Sequence, residues 1–471
     1  MDLRYILPSP RAPITLDLFE AESYEPAVVV QQLVGNLVYF SNKGRYEPRL
    51  AKSWRRVEPT VWEFELHEGL VCENGEKIDA EGFKRSLKRI IKKMAKGGTV
   101  PVLNKLVGFE DYINGDGELS GIESSGLTLR FKFVEPTRSG VVQILSFAPF
   151  GYICEDNLNP DGSWKDNKRF ISSGPYRVES IEIGSRYVLV RRDDWKLPFS
   201  ESAPSKVIIT HDVPTEFGSD AVWIVDPRWV SVSLPEEFER YDLVPEYLNS
   251  ILLGNLQSGF FSRIENRRYF KGLVEKHRDL LVPEKWGNSV RSSSMYPTQA
   301  VNPPIPVPTV TPVTPPSEPL IIEGKEPKSE QGQYTWKVLK AALDEANIKY
   351  QFAGNEFNTA EKINQNYDIR IRGPSIGGGV EAWGLRILFC SKLGVAMPDP
   401  TGNICRLLDA YERDEINDEQ LTKKFLEQVE LDAAIITIAH FGHSFYLSPS
   451  IKKESLSPAL SIVRFDQLEV E

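Results

Sequence analysis

Five histidines, His67, His211, His277, His440 and His443, are the side chains of this sequence best suited to acid–base or metal chemistry near neutral pH. None stands in an HExxH, GxSxG or Cys-His arrangement, so the sequence writes out neither a zinc-activated water nor a primed nucleophile. His440 and His443 are close enough for their imidazoles to converge on a metal. No Cys, Asp or Glu lies near them in sequence as a third ligand, and they read instead as hydrogen-bonding groups lining a cleft. Gly377-Gly378-Gly379 is a turn-forming run without the Lys-Ser/Thr of a nucleotide phosphate loop. No catalytic residue, metal or cofactor is therefore assigned.

The segment from Arg45 to Phe83 supplies the clearest local structure. Trp62, Phe64 and Leu66 alternate with Glu63, Glu65 and His67, the period of a half-buried strand. A second short strand is expected over Leu70 to Cys72, followed by a left-handed turn at Asn74-Gly75. Asp79 then caps a helix whose Phe83, Leu87, Ile90, Ile91 and Met94 form one apolar stripe. Its other face carries Lys84, Arg85, Lys88, Arg89, Lys92, Lys93 and Lys96, read as a solvated face, with an anion or RNA contact as the alternative.

This segment resembles the signature region of the extracytoplasmic solute-binding proteins of ABC importers, the dipeptide- and oligopeptide-binding family 5. The family's Pro-x-Leu-Ala-x-Ser-Trp run is matched by Pro48, Leu50, Ala51, Ser53 and Trp54. A Leu-Arg-x-Gly-like step is matched by Leu66, His67 and Gly69. The following turn and helix start are matched by Asn74, Gly75, Ala80 and Glu81, with Gly82 where the family has Asp. Thr15-Leu16-Asp17 is similar to the family's Thr-Leu-Asp-Pro without its proline. Ser173-Gly174-Pro175-Tyr176, the strand Tyr187 to Arg191 and Asp194-Trp195 resemble its Gly-Thr-Gly-Pro-Tyr block and the close that follows.

The resemblance implies an α/β, two-lobed periplasmic-binding-protein-like fold of type II, cluster C, with an extra subdomain in the first lobe. Residues 1–220 would form the first lobe, with the inserted subdomain at about 45–165. Residues 221–430 would form the second lobe, and 431–471 would return to the first. The implied function is capture of a peptide or peptide-like small solute in an interlobe cleft and delivery to ABC permease subunits, by a monomer that is not an enzyme and binds no nucleic acid. The rival readings are the solute-sensing domain of a regulator and a binding-deficient structural or chaperone-like relative. Aromatic faces for the solute are expected from Phe19, Tyr24, Trp223 and Trp383. Peptide-binding members place an Asp after the second-lobe strand to pair with the ligand's amino terminus. Here that loop runs from Arg372 to Trp383 with no Asp, so Glu381 is the candidate substitute, Arg372 could face an anion and Ser375 completes the candidate set.

Composition agrees with this class without selecting it. The chain has 471 residues, enough for two or three domains, with 41% hydrophobic and 26% charged residues and a formal charge of −10. That charge argues against a bulk nucleic-acid surface. No apolar run is long enough to span a membrane. Met1 reads as a start codon standing where an export signal has been removed, so an extracytoplasmic location is expected, with a cytoplasmic one as the alternative. Cys72, Cys154, Cys390 and Cys405 have neither CxxC spacing nor the density of a disulfide scaffold. A Cys390–Cys405 bridge and free buried thiols both remain open.

Farther along, strands are expected over Val207 to Thr210 and Ala221 to Val225, and a helix over Phe260 to Leu281 closed by Pro283. Pro297 to Pro319 is proline-rich and should run extended; the resemblance makes it a loop along the second lobe. A helix is expected over Tyr334 to Ala346, with strands over Lys349 to Phe352 and Asp368 to Ile371. A last helix starts at Asn417 or Asp418 with Leu421, Phe425, Leu426 and Val429 as its buried edge, and the strand Ala434 to Ile438 follows.

Overall fold

The structure, a computed structural model, describes residues 2–7, 16–18, 24–41, 43–96, 102–166, 169–182, 185–219, 221–227, 233–244, 247–281, 289–291, 294–295, 311–328, 330–354, 367–373, 382–390, 397–457 and 462–471. Two compact units share the chain: Met1–Leu243 with His443–Glu471, and Val244–Gly442.

The first unit begins with β1 (Asp2–Ile6), α1 (Tyr24–Leu33), β2 (Val38–Phe40), β3 (Tyr46–Pro48), β4 (Ala51–Glu58), β5 (Val61–Leu66) and α2 (Ala80–Lys96). It continues through α3 (Phe109–Asn114), β6 (Ile122–Ser125), β7 (Thr128–Lys132), α4 (Val141–Ile144) and β8 (Tyr176–Glu182). Then come β9 (Arg186–Arg191), β10 (Lys206–Thr210), β11 (Val222–Val225) and β12 (Glu239–Asp242). The second unit holds β13 (Tyr247–Leu253), α5 (Ile264–Leu280), β14 (Ser289–Arg291), β15 (Leu320–Ile322), α6 (Glu330–Glu345) and β16 (Tyr350–Phe352). It closes with β17 (Ile369–Arg372), α7 (Ala382–Cys390), α8 (Asn403–Glu412), α9 (Asp418–Asp432) and β18 (Ile435–Phe441), and β19 (Ser444–Leu447) returns to the first unit.

In the first unit a seven-stranded sheet runs β12-β19-β11-β1-β10-β9-β8, with β1 parallel to both β10 and β11. The chain thus leaves this unit after Leu243 rather than near residue 220, because β11 pairs with β1 (Arg4 beside Trp223) and belongs to the first sheet. It returns at His443 rather than at 431, because β18 completes the second unit's sheet before the crossing.

A separate four-stranded sheet, β4-β5-β7-β6, packs one face on α2. Phe64, Leu66, Leu129 and Phe131 from the sheet meet Phe83, Leu87, Ile90 and Ile91 from the helix, with Met94 partly buried beside them. Burying such side chains contributes on the order of 1.5–3 kcal/mol each, which is why the stripe fixes the helix on the sheet. The Asp79 carboxylate accepts the Gly82 N–H at 2.9 Å and caps α2. Gly75 takes the left-handed turn, φ 86°. The short strand expected over Leu70 to Cys72 is reduced to a single bridge between Val71 and Lys77.

The second unit is a six-stranded sheet, β14-β18-β13-β17-β15-β16. Its first core joins α5 and α6 to the sheet, and its second is built mainly by α7, α8 and α9. Asn417 caps α9 through a reciprocal box with Gln420. Pro283 and residues 297–310 lie outside the described residues; residues 311–316 form no regular element.

All four cysteines are bridged, Cys72 to Cys154 and Cys390 to Cys405. Free thiols are thereby excluded, and the Cys72–Cys154 pair is a bridge that spacing did not suggest. Its partners stand 82 residues apart and meet only because α2 and the segment around Tyr152 share one core.

Candidate functional site

The signature residues turn out to be scaffold. Leu50 and Ala51 are fully buried, and Gly69 makes a left-handed turn at φ 72°. The Ser-Gly-Pro-Tyr block is a tight knot against the end of α1. The Ser172 hydroxyl donates to Leu33 O at 2.9 Å, the Ser173 hydroxyl donates to Tyr152 O at 2.6 Å, and it accepts the Gly35 N–H at 3.0 Å. The buried Arg192 guanidinium donates to Ser172 O, Gly174 O and Val71 O, closing the knot from the other side. The carbonyls of Ser172, Gly174, Pro175 and Tyr176 each have a donor, which is what allows an irregular segment to sit in a core.

The basic face of α2 is largely consumed internally. Arg89 chelates the buried Asp17 carboxylate with two bonds of 3.1 and 2.9 Å, and Lys93 reaches the same group at 2.6 Å. Arg85 pairs with Glu76 and Glu155, and Lys88 with Glu118. A face paired in this way is a poor polyphosphate surface. Among the described residues, the one group of metal-ligand types within reach of each other is Cys72, Glu76 and Cys154. Its sulfurs are joined, and Glu76 already accepts from Arg85, the Tyr152 hydroxyl and the Glu155 N–H.

Ligands of open α/β sheets collect at the carboxyl ends of parallel strands. In the first unit that edge follows β1, β10 and β11 and carries Leu7, His211 and Asp226. Leu7 N–H donates to Thr210 O and Asp226 N–H to Ile6 O, both at 2.9 Å, so the three strand ends are locked in register. The His211 Nδ1 lies 2.7 Å from Leu7 O and donates to it. That Nε2 is buried with no hydrogen-bond partner among the described residues. His211 was not singled out in the sequence; the one signal was its place directly after a β-branched strand.

In the second unit the matching edge follows β15 and β17 and carries Glu323, Arg370 and Arg372. Arg372 is ion-paired with Glu323, and Arg370 lies 3.8 Å from the same carboxylate. The Arg370 guanidinium sits 3.6 Å from the centroid of the Tyr367 ring. Burial pulls its pKa down to about 10, ahead of the opposing pull of Glu323. Asp368, which opens the strand, is spent on the Ile321 N–H and the Asn255 amide.

The sequence-predicted site residues scatter. Trp223 is a core residue of the first unit, 4% exposed, with its indole N–H given to Gly218 O and Phe217 edge-on at 5.0 Å. It is not a ligand face, because β11 is covered on both sides. Arg372 is engaged by Glu323 rather than held open for an anion. His440 is fully buried within the second unit, its Nε2 2.8 Å from Ser294 O, and burial holds its pKa below the ordinary value. That burial removes it from the lining of a cleft. His443 opens the return to the first unit, where its carbonyl accepts the Leu243 N–H; the two imidazoles thus fall in different units. Trp383 is half-buried on α7. Tyr24 starts α1, but its side chain, like Phe19, Ser375 and Glu381, lies outside the described residues.

Residues 45–214 match the model of the bacterial extracellular solute-binding proteins, family 5, middle region. A curated binding protein of Haemophilus influenzae is 23% identical over 231 residues, 47% of this chain and 42% of that protein, so the chain matches less than half the length of this relative. Among solved structures, the periplasmic murein tripeptide binding protein MppA in its unliganded open form superposes with a TM-score of 0.73 at 16% identity, covering 100% of this chain and 97% of that one. NikA from Brucella suis, in complex with Fe(III)-EDTA, gives 0.71 at 15% identity with 100% of both chains covered. Haemophilus influenzae OppA, in complex with the peptide RPPGFSPFR, gives 0.67 at 14% identity, covering 100% of this chain and 98% of that one. The fold is the multi-sheet α/β architecture of these periplasmic binding proteins, and residues 45–214 are similar to the middle region of the family 5 extracellular solute-binding proteins.

Proposed function

We propose that this chain is an extracytoplasmic solute-binding protein, not an enzyme, that captures a peptide or peptide-like small solute and delivers it to the permease of an ABC importer. The observation that carries this reading is the match of residues 45–214 to the family 5 middle region, within a fold shared along the whole chain with solute-binding proteins. The pairing of all four cysteines supports the compartment, since disulfides persist outside a reducing cytosol. The carboxyl edges of the parallel strands are the place for solute contacts, with the His211 Nε2 as the candidate polar group of the first unit. Holding a solute asks only for oriented polar groups and shape, which these edges offer.

The ligands named for the related structures, a murein tripeptide, a nonapeptide and a metal chelate, are chemically unlike one another, so the fold does not choose among them. The loop after β17 contains no Asp, and Asp368 is engaged within its own unit. We infer that recognition of a free peptide α-amine is weakened or lost, and that an amine-blocked peptide or non-peptide solute is held instead. Calorimetric titration with a free-amine tripeptide and its N-acetylated form tests this. Equal or better binding of the acetylated form is expected; a strong preference for the free amine would sink the inference. Failure of every member of a solute library with folded protein would count against the transport reading itself.

A further inference from the structure

Two exposed asparagines stand directly before glycine, in Asn74-Gly75 and Asn114-Gly115. Glycine has no side chain to shield its nitrogen, so at such a step that nitrogen can reach the carboxamide carbon of the preceding asparagine. The two steps are held very differently. The Asn74 carboxamide donates to Asp156 Oδ2 at 2.7 Å and accepts the Glu76 N–H at 3.2 Å, and the Gly75 N–H donates to Cys72 O at 2.9 Å. The Cys72–Cys154 bridge lies just ahead of Asn74 on one segment and of Asp156 on the other, and keeps that pair in register.

Asn114 lacks these side-chain restraints. It is the last residue of α3, a helix of 6 residues, and its carboxamide makes no hydrogen bond among the described residues. Gly115 follows in the left-handed region at φ 86°, with nothing within 4 Å of the place a Cβ would take, and its N–H donates to Tyr112 O at 3.3 Å. While the last turn is closed, helical backbone keeps the Gly115 nitrogen away from the Asn114 side chain. Helices this short are marginal by themselves and their ends fray, so the reactive geometry is visited whenever that turn opens.

We propose that Asn114 is a site of spontaneous deamidation and that the fold protects Asn74 from the same reaction. The deprotonated Gly115 nitrogen attacks the side-chain carbonyl carbon of Asn114, the new C–N bond closes a succinimide ring, and the carboxamide nitrogen leaves as ammonia. Water then opens the ring at one carbonyl or the other, giving aspartate or isoaspartate. One water is consumed and one ammonia released, and nothing is oxidised or reduced. The product carries a new carboxylate at the C-terminal end of α3, close in sequence to Asp111 and Asp116, where the helix dipole disfavours negative charge. Tyr112 and Ile113 hold α3 on the subdomain core, and the modification loosens that contact.

Peptide mass mapping of the full chain, disulfides intact, after incubation in warm, mildly alkaline buffer tests the site. The Asn114 peptide should gain the deamidation mass, with isoaspartate in excess of aspartate. The Asn74 peptide should convert more slowly by roughly tenfold or more, the order set by its two side-chain hydrogen bonds. Asp156→Ala should speed conversion at Asn74, and Gly115→Ala should suppress it at Asn114. In urea with the disulfides reduced, the two sites of the parent should convert at similar rates. Equal rates at the two sites of the folded protein, no conversion at Asn114, or a difference that persists in urea would overturn the proposal. If a variant does not fold, the comparison of folded and urea-unfolded parent still decides.

Discussion

Gly174 shows what the family signature does at the level of one residue. A Cβ there would lie 2.7 Å from the Leu33 carbonyl carbon and from the Val34 nitrogen, both backbone atoms that cannot swing away. Gly174→Ala should therefore cost roughly 1–3 kcal/mol, as overpacking does. Gly384→Ala, in α7 with nothing within 4 Å of the new carbon, should be neutral or stabilising by up to about 1 kcal/mol. Urea midpoints of the two variants check this, and similar shifts in both would refute the close approach. His440 sets a pH dependence. Burial lowers its folded pKa below the model-compound value of 6.5, so the unfolded chain takes up the proton first. Its contribution is present in full above pH 6.5 and declines as pH falls through the folded pKa. Stability measured at pH 7.5 and again near pH 5 should drop less in His440→Gln than in the parent. An unchanged drop would place the acid sensitivity elsewhere.

At the scale of elements, the two disulfides close very different spans, 82 residues for Cys72–Cys154 and 15 for Cys390–Cys405. Loop-closure entropy gives on the order of 4.5 and 3 kcal/mol respectively. The double serine variant Cys72→Ser/Cys154→Ser should accordingly lose more stability than Cys390→Ser/Cys405→Ser in denaturant unfolding, and the reverse order would show that strain or residual structure dominates. The long bridge also marks where sequence reading stops. The strand around Phe64, the capped helix from Ala80 and the box at Asn417 are local patterns, carried by periods and caps within a few residues, and they were legible. The place of β11 was not, because Val222 to Val225 is buried at every position and a strand covered on both faces gives no alternation to say which sheet it joins. Trp223 and His440 misled for the same reason: an aromatic or imidazole side chain looks alike in sequence whether it faces solute or core. The carboxyl-edge groups His211 and Arg370 depend on pairing between strands far apart in the chain, which no local pattern encodes.

For the whole molecule, the decisive feature is that each unit carries its own cores. Phe64 packs with Phe131 and Phe83 in the first unit, and Phe425 packs with Phe389 in the second, centroids 5.5 Å apart. The backbone passes from one unit to the other only at Leu243–Val244 and at Gly442–His443. Cooperativity follows shared buried contacts, and chains built from units with separate cores depart from a single all-or-none transition. Scanning calorimetry without ligand should therefore give a van't Hoff enthalpy below the calorimetric one. Phe64→Ala and Phe425→Ala should each cost roughly 3–5 kcal/mol of local stability. The first should lower one component of the transition and leave the other in place, and the second should do the opposite. If both substitutions moved one undivided transition by equal amounts, with the two enthalpies equal, the units would be a single cooperative body and their separate cores would not be separate folding units.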